Sequence, residues 1–261
     1  MSCARAVAGG AALAALLAHA AHAAGPAADT RRSGFDFMSP QTQALQRDDT
    51  LNPGMLWVSE GADLWGRRFG VSNRSCASCH GAAATSMRGV AASYPAFDTL
   101  ERRAVDLGGR IQLCRVRNQW ATPFAAESND LLSLQSYVAY QSRGMPIAPD
   151  PDPRLEPLRE RGRALFSTRI GQLDLSCAQC HDDNAGQRLG GSVIPQAHPT
   201  GYPLYRLDWQ GIGSLQRRLR TCLGGVRAEP YAYGAQEWVE LELYLAERAA
   251  GMPVETPAVR P

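Results

Sequence analysis

Cysteine and histidine residues with the spacing Cys-x-x-Cys-His occur twice in this 261-residue chain, at Cys76–His80 and at Cys177–His181. In such a motif both thiols lie on one side of a helical turn, where they can form thioethers with the vinyl groups of a haem, and the histidine can bind the iron. A zinc-binding or redox cysteine pair is the alternative, but no spare cysteine pair could complete a four-thiolate zinc site beside either motif. The sequence therefore predicts two covalently bound haem c groups: haem 1 on Cys76 and Cys79 with His80 as axial ligand, and haem 2 on Cys177 and Cys180 with His181 as axial ligand.

Two further cysteines are candidates for the second axial position of the irons. Cys114 follows His80 by 34 positions, and Cys222 follows His181 by 41. Each has a leucine seven positions earlier, an arginine four earlier and an aliphatic residue three earlier, so the apolar residues and the cysteine share one helical face. We therefore expect Cys114 and Cys222 each to bind the iron of its own repeat, where a thiolate lowers the haem potential. A disulfide between them, or burial as small core residues, are the alternatives.

Three other side chains are weaker candidates for a sixth ligand. Met145 and Met252 each stand in a Gly-Met-Pro sequence at the end of the last helix of a repeat. Both lie far past the segment where a methionine ligand is expected, so we interpret them as packing residues. His198 has no counterpart in the first repeat, and a role in a surface loop fits it better.

Arginine residues surround the second of these cysteines. Arg218 lies four positions before Cys222 and is its neighbour on a helix, while Arg217 and Arg220 belong to the same turn. Nearby positive charge favours a thiolate, and guanidinium groups offer paired donors to oxyanions. Because Arg110 has the equivalent place beside Cys114, pairing with a haem propionate is an equal alternative to binding of an anionic substrate.

The residues that carry this chemistry belong to two copies of one helical unit. Gly61 precedes the first motif by 15 positions and Gly162 precedes the second by 15, and the segments 123–147 and 230–254 match at both ends. Apolar residues at helical spacing predict long final helices over about 127–142 and 234–249, and no convincing alternating strand runs are present. The sequence predicts an all-α fold of two cytochrome-c-like domains related by internal duplication, over residues 25–148 and 149–261.

The first residues of the chain and its net charge indicate the cellular location of the protein and the kinds of partner it can bind. Arg5, an apolar run and small-x-small cleavage patterns predict a signal peptide over residues 1–24, and hence export to the periplasm. No apolar segment is long enough to predict a membrane span. A formal net charge of +2 is too small to indicate a nucleic-acid partner.

Beyond the haem motifs, the segment Gly211–Cys222 strongly resembles the signature of the SoxA family of bacterial sulfur oxidation. The segments Arg227–Gly234, Leu241–Leu245 and Gln141–Pro146 resemble the same family, and the resemblance runs from about residue 35 to the end. It implies an L-cysteine S-thiosulfotransferase that joins thiosulfate oxidatively to a cysteine of the carrier protein SoxYZ. It also implies a monohaem cytochrome partner of the SoxX type and a cytochrome that accepts the electrons.

The resemblance also assigns roles to individual residues. It implies that Cys222 is the reactive sulfur, with a persulfide as its working form, and that Arg218 binds substrate. Cys114 would only ligate haem 1, which some members of the family lack. Two other functions remain: a dihaem electron-transfer cytochrome in which Cys222 is only a ligand, and a module that binds thiosulfate or a partner without turnover.

Overall fold

The computed structural model describes residues 29–261, and the predicted signal peptide, 1–24, lies outside them. Residues Arg31–Pro261 form one compact unit, and no helix in the described range is long and apolar enough to cross a membrane. Its α-helices are α1 (Pro40–Arg47), α2 (Met55–Gly66), α3 (Cys76–His80), α4 (Ala83–Ser86), α5 (Leu107–Cys114), α6 (Asn129–Tyr140), α7 (Glu156–Ser167), α8 (Leu215–Gly225) and α9 (Gln236–Arg248). Its strands are β1 (Ala96–Asp98), β2 (Arg103–Val105), β3 (Arg188–Leu189), β4 (Ser192–Val193), β5 (Leu204–Arg206), β6 (Gly211–Gly213) and β7 (Ala258–Arg260).

Two crossing helix pairs, α2 with α6 and α7 with α9, build most of the core. Glycine stands at each crossing because there is no room for a side chain. A Cβ atom at Gly61 would collide with the backbone carbonyl of Ser133, and one at Gly162 with the carbonyl of Glu240. The matched glycines of the two repeats therefore have the same physical role, and the predicted final helices are confirmed as α6 and α9.

Short strands connect the helices, and the sequence analysis missed them. In the first repeat Ala96 pairs with Val105 in an antiparallel hairpin, and in the second Leu204 pairs with Gly213 in the same register. The terminal strand β7 then adds to β5 in parallel. The fold is thus mainly helical with small sheets, and each cysteine-bearing helix, α5 and α8, follows directly on such a hairpin.

The two Gly-Met-Pro segments pair with each other across the repeats. The backbone N–H of Gly144 donates to the carbonyl of Val254, and the N–H of Val254 donates to the carbonyl of Met145. The Met252 side chain is buried in an apolar cluster with Ala92, Ile147, Ala249 and Val254. Met252 is thus a packing residue at a helix end, as expected, and the motif joins the two repeats.

A buried polar cluster lies between the repeats. Asp106 caps α5 by accepting from the Gly109 N–H at 2.6 Å, and its other oxygen accepts from the Gln216 side chain of α8 at 2.8 Å. Glu242 of α9, only 9% exposed, also hydrogen-bonds Gln216. Burial raises the pKa of Glu242 well above its ordinary value, and the charge of Asp106 adds to this. Burial also raises the pKa of Asp106, which the charge of Arg103 opposes.

Replacing Glu242 with Gln is expected to flatten the dependence of stability on pH. Because folding raises the pKa of Glu242, the contribution of its protonated form is fully present below the unfolded-state pKa of about 4.3. That contribution is lost as pH rises through the folded-state value. The free energy of unfolding of the wild type should therefore fall with rising pH by about 1.4 kcal/mol for each unit of pKa elevation. The neutral amide avoids this loss.

Guanidinium unfolding at a series of pH values from weakly acidic to weakly alkaline measures this effect. The control is Glu160→Gln, which removes a carboxyl that is 57% exposed on α7. A Glu242→Gln variant with the pH profile of the wild type would show that Glu242 stays charged in the folded protein.

Candidate functional site

Each haem-attachment motif begins at a capped helical turn. The Ser75 hydroxyl accepts from the N–H of Ser78, whose own hydroxyl accepts from the N–H of Ser75. In the second motif Ser176 and Gln179 make the same reciprocal pair. The serine before each motif and the third residue inside it thus form a capping box, which fixes the turn that places both thiols on one side.

His181 is oriented for binding a metal through one ring nitrogen. Its Nδ1 lies 2.7 Å from the carbonyl oxygen of Pro195, and since a carbonyl can only accept, Nδ1 carries the proton. Nε2 is then the unprotonated nitrogen, as a haem iron requires. Burial lowers the pKa of His181 and so favours the neutral imidazole. In the first motif His80 is exposed and contacts the ring of Trp65, with centroids 5.7 Å apart.

A cavity of about 630 Å³ opens between His181 and Cys222. Its size is typical of a cofactor site. Apolar side chains line it together with a set of arginines: Leu215, Leu219, Leu245 and Val193, and Arg188, Arg206, Arg218 and Arg260. The four arginines give the lining positive charge, which suits a group with negative charge. These features fit a haem with its two propionates.

Cys114 and Cys222 each lie near the motif of their own repeat. Burial raises the pKa of the Cys177 thiol to about 11, and the neighbouring Cys222 adds to this shift. In the first repeat burial also raises the pKa of Cys76, and Cys114 acts on that thiol. The six cysteines of the described range are all free thiols, so no disulfide joins Cys114 to Cys222. Neither of these two cysteines is therefore tied covalently to the other repeat.

His198 lines the same large cavity, but on the side of His181. A smaller adjoining cavity of about 410 Å³ is lined by His181, His198 and Arg248, and Cys222 is not part of it. The Nδ1 of His198 lies 2.8 Å from the carbonyl oxygen of Arg32. Of these two cavities, Cys222 lines only the larger one, whereas His181 and His198 line both.

Arg110 and Arg218 have different surroundings, although their positions match. An Arg110 nitrogen lies 2.7 Å from a carboxylate oxygen of Asp98, and its Nε donates to the Tyr94 hydroxyl at 3.1 Å. No carboxylate among the described residues pairs with Arg218, which faces the cavity near Cys222. The two arginines therefore differ in their partners, because Arg110 is already paired with a carboxylate of the protein.

Arg217 and Arg220, which the sequence placed around Cys222, do not line the cavity. The Arg217 guanidinium lies 4.2 Å from the ring centre of Trp209. Arg220 donates to the carbonyl of Tyr231 and stacks at 4.6 Å on another tyrosine ring. Their charge therefore belongs to the surface around α8.

The cavity is lined instead by Arg218 and by three arginines from outside α8, which are Arg188, Arg206 and Arg260. Of these, Arg260 is paired with Glu255. The sequence pattern did not point to these three arginines or to Asp98. Extending the match of α5 and α8 upstream would have aligned Asp98 with Arg206.

Comparison with known proteins assigns the chain to a family. The family model described as SoxA/TsdA, cytochrome c domain, matches residues 60–147 and again residues 161–254. The L-cysteine S-thiosulfotransferase subunit SoxA of Pseudaminobacter salicylatoxidans is 40% identical, over 89% of this chain and 82% of the relative. The SoxA subunit of Rhodovulum sulfidophilum is 36% identical over 89% and 81%.

A solved structure leads to the same conclusion. The crystal structure of SoxXA from P. pantotrophus superposes with a TM-score of 0.85 at 35% identity, covering 88% of this chain and 87% of that one. The two matches of the family model coincide with the two repeats described above. The chain therefore belongs to the SoxA family and contains two cytochrome c domains.

Proposed function

We propose that this protein is a dihaem c-type cytochrome that joins thiosulfate to a cysteine of a SoxYZ-type carrier, with Cys222 as the reactive sulfur and Arg218 as a substrate-binding residue. The single observation that carries the proposal is the cavity between His181 and Cys222, which is lined by Arg218, an arginine that pairs with no carboxylate of residues 29–261. Relatives at 40% and 36% identity are named L-cysteine S-thiosulfotransferase subunits, which supports the same activity for this chain.

Two haem c groups would be held by the residues of the two motifs. Cys76 and Cys79 would attach haem 1, with His80 and Cys114 as axial ligands. Cys177 and Cys180 would attach haem 2, with His181 and Cys222 as axial ligands. When bound, the haem groups would accept electrons one at a time and deliver them to an acceptor cytochrome. Support comes from the capped turns, the orientation of His181 and the position of each cysteine near its own motif.

The protein's own residues would bind and orient the substrate. Thiosulfate carries negative charge on its sulfonate oxygens, and the Arg218 guanidinium can hold two such oxygens by paired donation. That arrangement directs the terminal sulfur of thiosulfate to the Cys222 sulfur, one helical turn further along α8. The apolar wall formed by Leu215, Leu219 and Leu245 limits access of water to the sulfur–sulfur contact.

The reaction balances as an oxidation followed by an exchange. A bond forms between the Cys222 sulfur and the terminal sulfur of thiosulfate, with loss of the thiol proton and of two electrons to the acceptor cytochrome. The carrier thiolate then attacks the thiosulfate sulfur bonded to Cys222, and the Cys222 thiolate leaves. The product is a carrier cysteine S-thiosulfonate, and Cys222 is regenerated. If Cys222 rests as a persulfide, the same two steps take place at the outer sulfur of the persulfide, which forms the bond to thiosulfate and later leaves.

A partner and a location complete the proposal. The matched solved structure is a SoxXA complex, which supports assembly with a SoxX-type monohaem subunit. Export to the periplasm rests on the predicted signal peptide. Domain limits of 25–148 and 149–261 are proposed from the repeat.

The test is a transfer assay with the purified holoprotein, its SoxX-type partner, thiosulfate, an oxidised acceptor cytochrome and the carrier. Intact mass spectrometry of the carrier should show the mass gain of one thiosulfate group, and about two acceptor molecules should be reduced for each adduct. An electron-transfer cytochrome would exchange electrons with the acceptor without an adduct on the carrier. A binding module would bind thiosulfate without steady reduction of the acceptor.

A further inference from the structure

The two repeats carry opposite charges at one matched position beside the haem sites. β1 and β2 pair in the same register as β5 and β6, so the last residue of β1, Asp98, corresponds to the last residue of β5, Arg206. The tyrosines four positions earlier, Tyr94 and Tyr202, also correspond, and each is followed by a cis proline. The exchange of aspartate for arginine is therefore a substitution at one structural position.

In the first repeat Asp98 neutralises the arginine that precedes the axial cysteine. Asp98 is 1% exposed and lies 2.7 Å from Arg110 and 2.9 Å from Arg117. Its carboxylate also accepts from the backbone N–H groups of Leu100 and Glu101. These contacts hold the pKa of Asp98 far below its usual range, so the group is ionised. Arg110 is therefore already paired with a carboxylate of the protein, which leaves it less able to bind an incoming anion.

In the second repeat the same position adds positive charge. Arg206 lines the cavity together with Arg218 and Cys222, and its side chain is 13% exposed. One terminal nitrogen of Arg206 contacts Asp208 at 3.2 Å, but Asp208 is 70% exposed and its charge is screened by water. The Arg206 Nε is buried and has no partner among the described residues.

Both arginines line one cavity, and the Cys222 side chain and the partly buried Tyr202 line it with them. Two guanidinium groups that converge beside a reactive sulfur suit a small oxyanion better than one does, because each offers a planar fork of donors.

We propose that Arg206 is a second binding residue for the sulfonate oxygens of thiosulfate, beside Arg218, and that Asp98 makes the first repeat unable to bind that anion. This inference rests on the proposed function, since it names the contacts of the same substrate. It explains why only one of two similar haem sites carries out group transfer. The opposite charges of the matched residues Asp98 and Arg206 thus determine which of the two sites is the active one.

The experiment uses Arg206→Gln and Arg206→Lys in the complete holoprotein with its partner subunit. Thiosulfate binding to the oxidised protein is measured by calorimetry, kcat and KM by the transfer assay, and the haem 2 potential by spectroelectrochemical titration. Arg206→Gln is expected to raise the Kd and the KM about 10- to 100-fold, since a charged donor pair is lost. The Kd and the KM of Arg206→Lys should lie between those of Arg206→Gln and those of the wild type. The matched control is Arg169→Gln, which removes an exposed arginine of the same repeat outside the cavity.

A Kd of Arg206→Gln for thiosulfate within twofold of the wild-type value would overturn the proposal, whether or not the haem 2 potential changes. A changed haem 2 potential with unchanged Kd would identify Arg206 as a partner of a haem propionate instead. The complementary variant Asp98→Asn should create a second, weaker thiosulfate site, so that two thiosulfate ions bind to each protein molecule instead of one. Binding of a single thiosulfate ion by this variant would overturn the role given to Asp98. If the wild type binds thiosulfate through Arg206 but forms no carrier adduct, the proposed function fails and this inference stands.

Discussion

Replacing Cys222 with Ser is expected to reduce thiosulfate transfer to the carrier by at least about 10³-fold, the size of loss typical when a covalent nucleophile is removed. Serine keeps the size of the side chain but cannot form the sulfur–sulfur bond that the proposed reaction requires. The variant should still contain covalently attached haem, because the proposed attachment residues are Cys177 and Cys180. The measurement is carrier adduct formation by mass spectrometry together with the rate of acceptor reduction.

The matched control is Cys114→Ser, which changes the corresponding residue of the first repeat. It should alter the absorption spectrum and potential of haem 1, and its effect on carrier conjugation should stay below about tenfold. This pair separates loss of an axial ligand from loss of the reactive sulfur. Equal and large losses in both variants would mean that the cysteines act only as ligands. Full transfer by Cys222→Ser would place the chemistry elsewhere.

Replacing Gly61 with Ala is expected to destabilise the first repeat by about 3 kcal/mol or more. An alanine Cβ would collide with the backbone carbonyl of Ser133 and lie 2.6 Å from the Cβ of Tyr137, so α2 and α6 would have to move apart. The Ser133 carbonyl is part of the α6 backbone, so it cannot rotate away from the new Cβ atom as the end of a flexible side chain could. Gly162→Ala should have the same effect at the crossing of α7 and α9, where the Glu240 carbonyl is the obstacle.

Chemical unfolding monitored by circular dichroism measures this effect. The control is Gly66→Ala in the same helix, where a Cβ would meet nothing within 4 Å and alanine has the better helix propensity. Gly66→Ala should therefore match or slightly exceed the stability of the wild type. A Gly61→Ala protein as stable as Gly66→Ala would show that the helix crossing can loosen at little cost.

Features that depend on short-range spacing could be predicted from the sequence alone. The motifs Cys76–His80 and Cys177–His181, the helices that carry Cys114 and Cys222, and the long final helices all follow from residues within a few turns of each other. Their geometry is fixed by the helix period, so the pattern is visible in the chain. The short strands were missed because three-residue strands contain too little alternation to be recognised.

The electrostatics of the two sites were decided only by the tertiary structure. Asp98 contacts Arg110, and Arg206 lines the cavity, because each lies in a hairpin whose register is not visible in the sequence. Arg260 lines the cavity from the last strand, β7. Arg217 and Arg220 are neighbours of Cys222 in sequence, yet contacts with Trp209 and Tyr231 draw them away. Charge acts through space and not along the chain. The sequence by itself therefore determined where the two Cys-x-x-Cys-His motifs and their helices lie, and the folded structure decided which charged residues surround each of them.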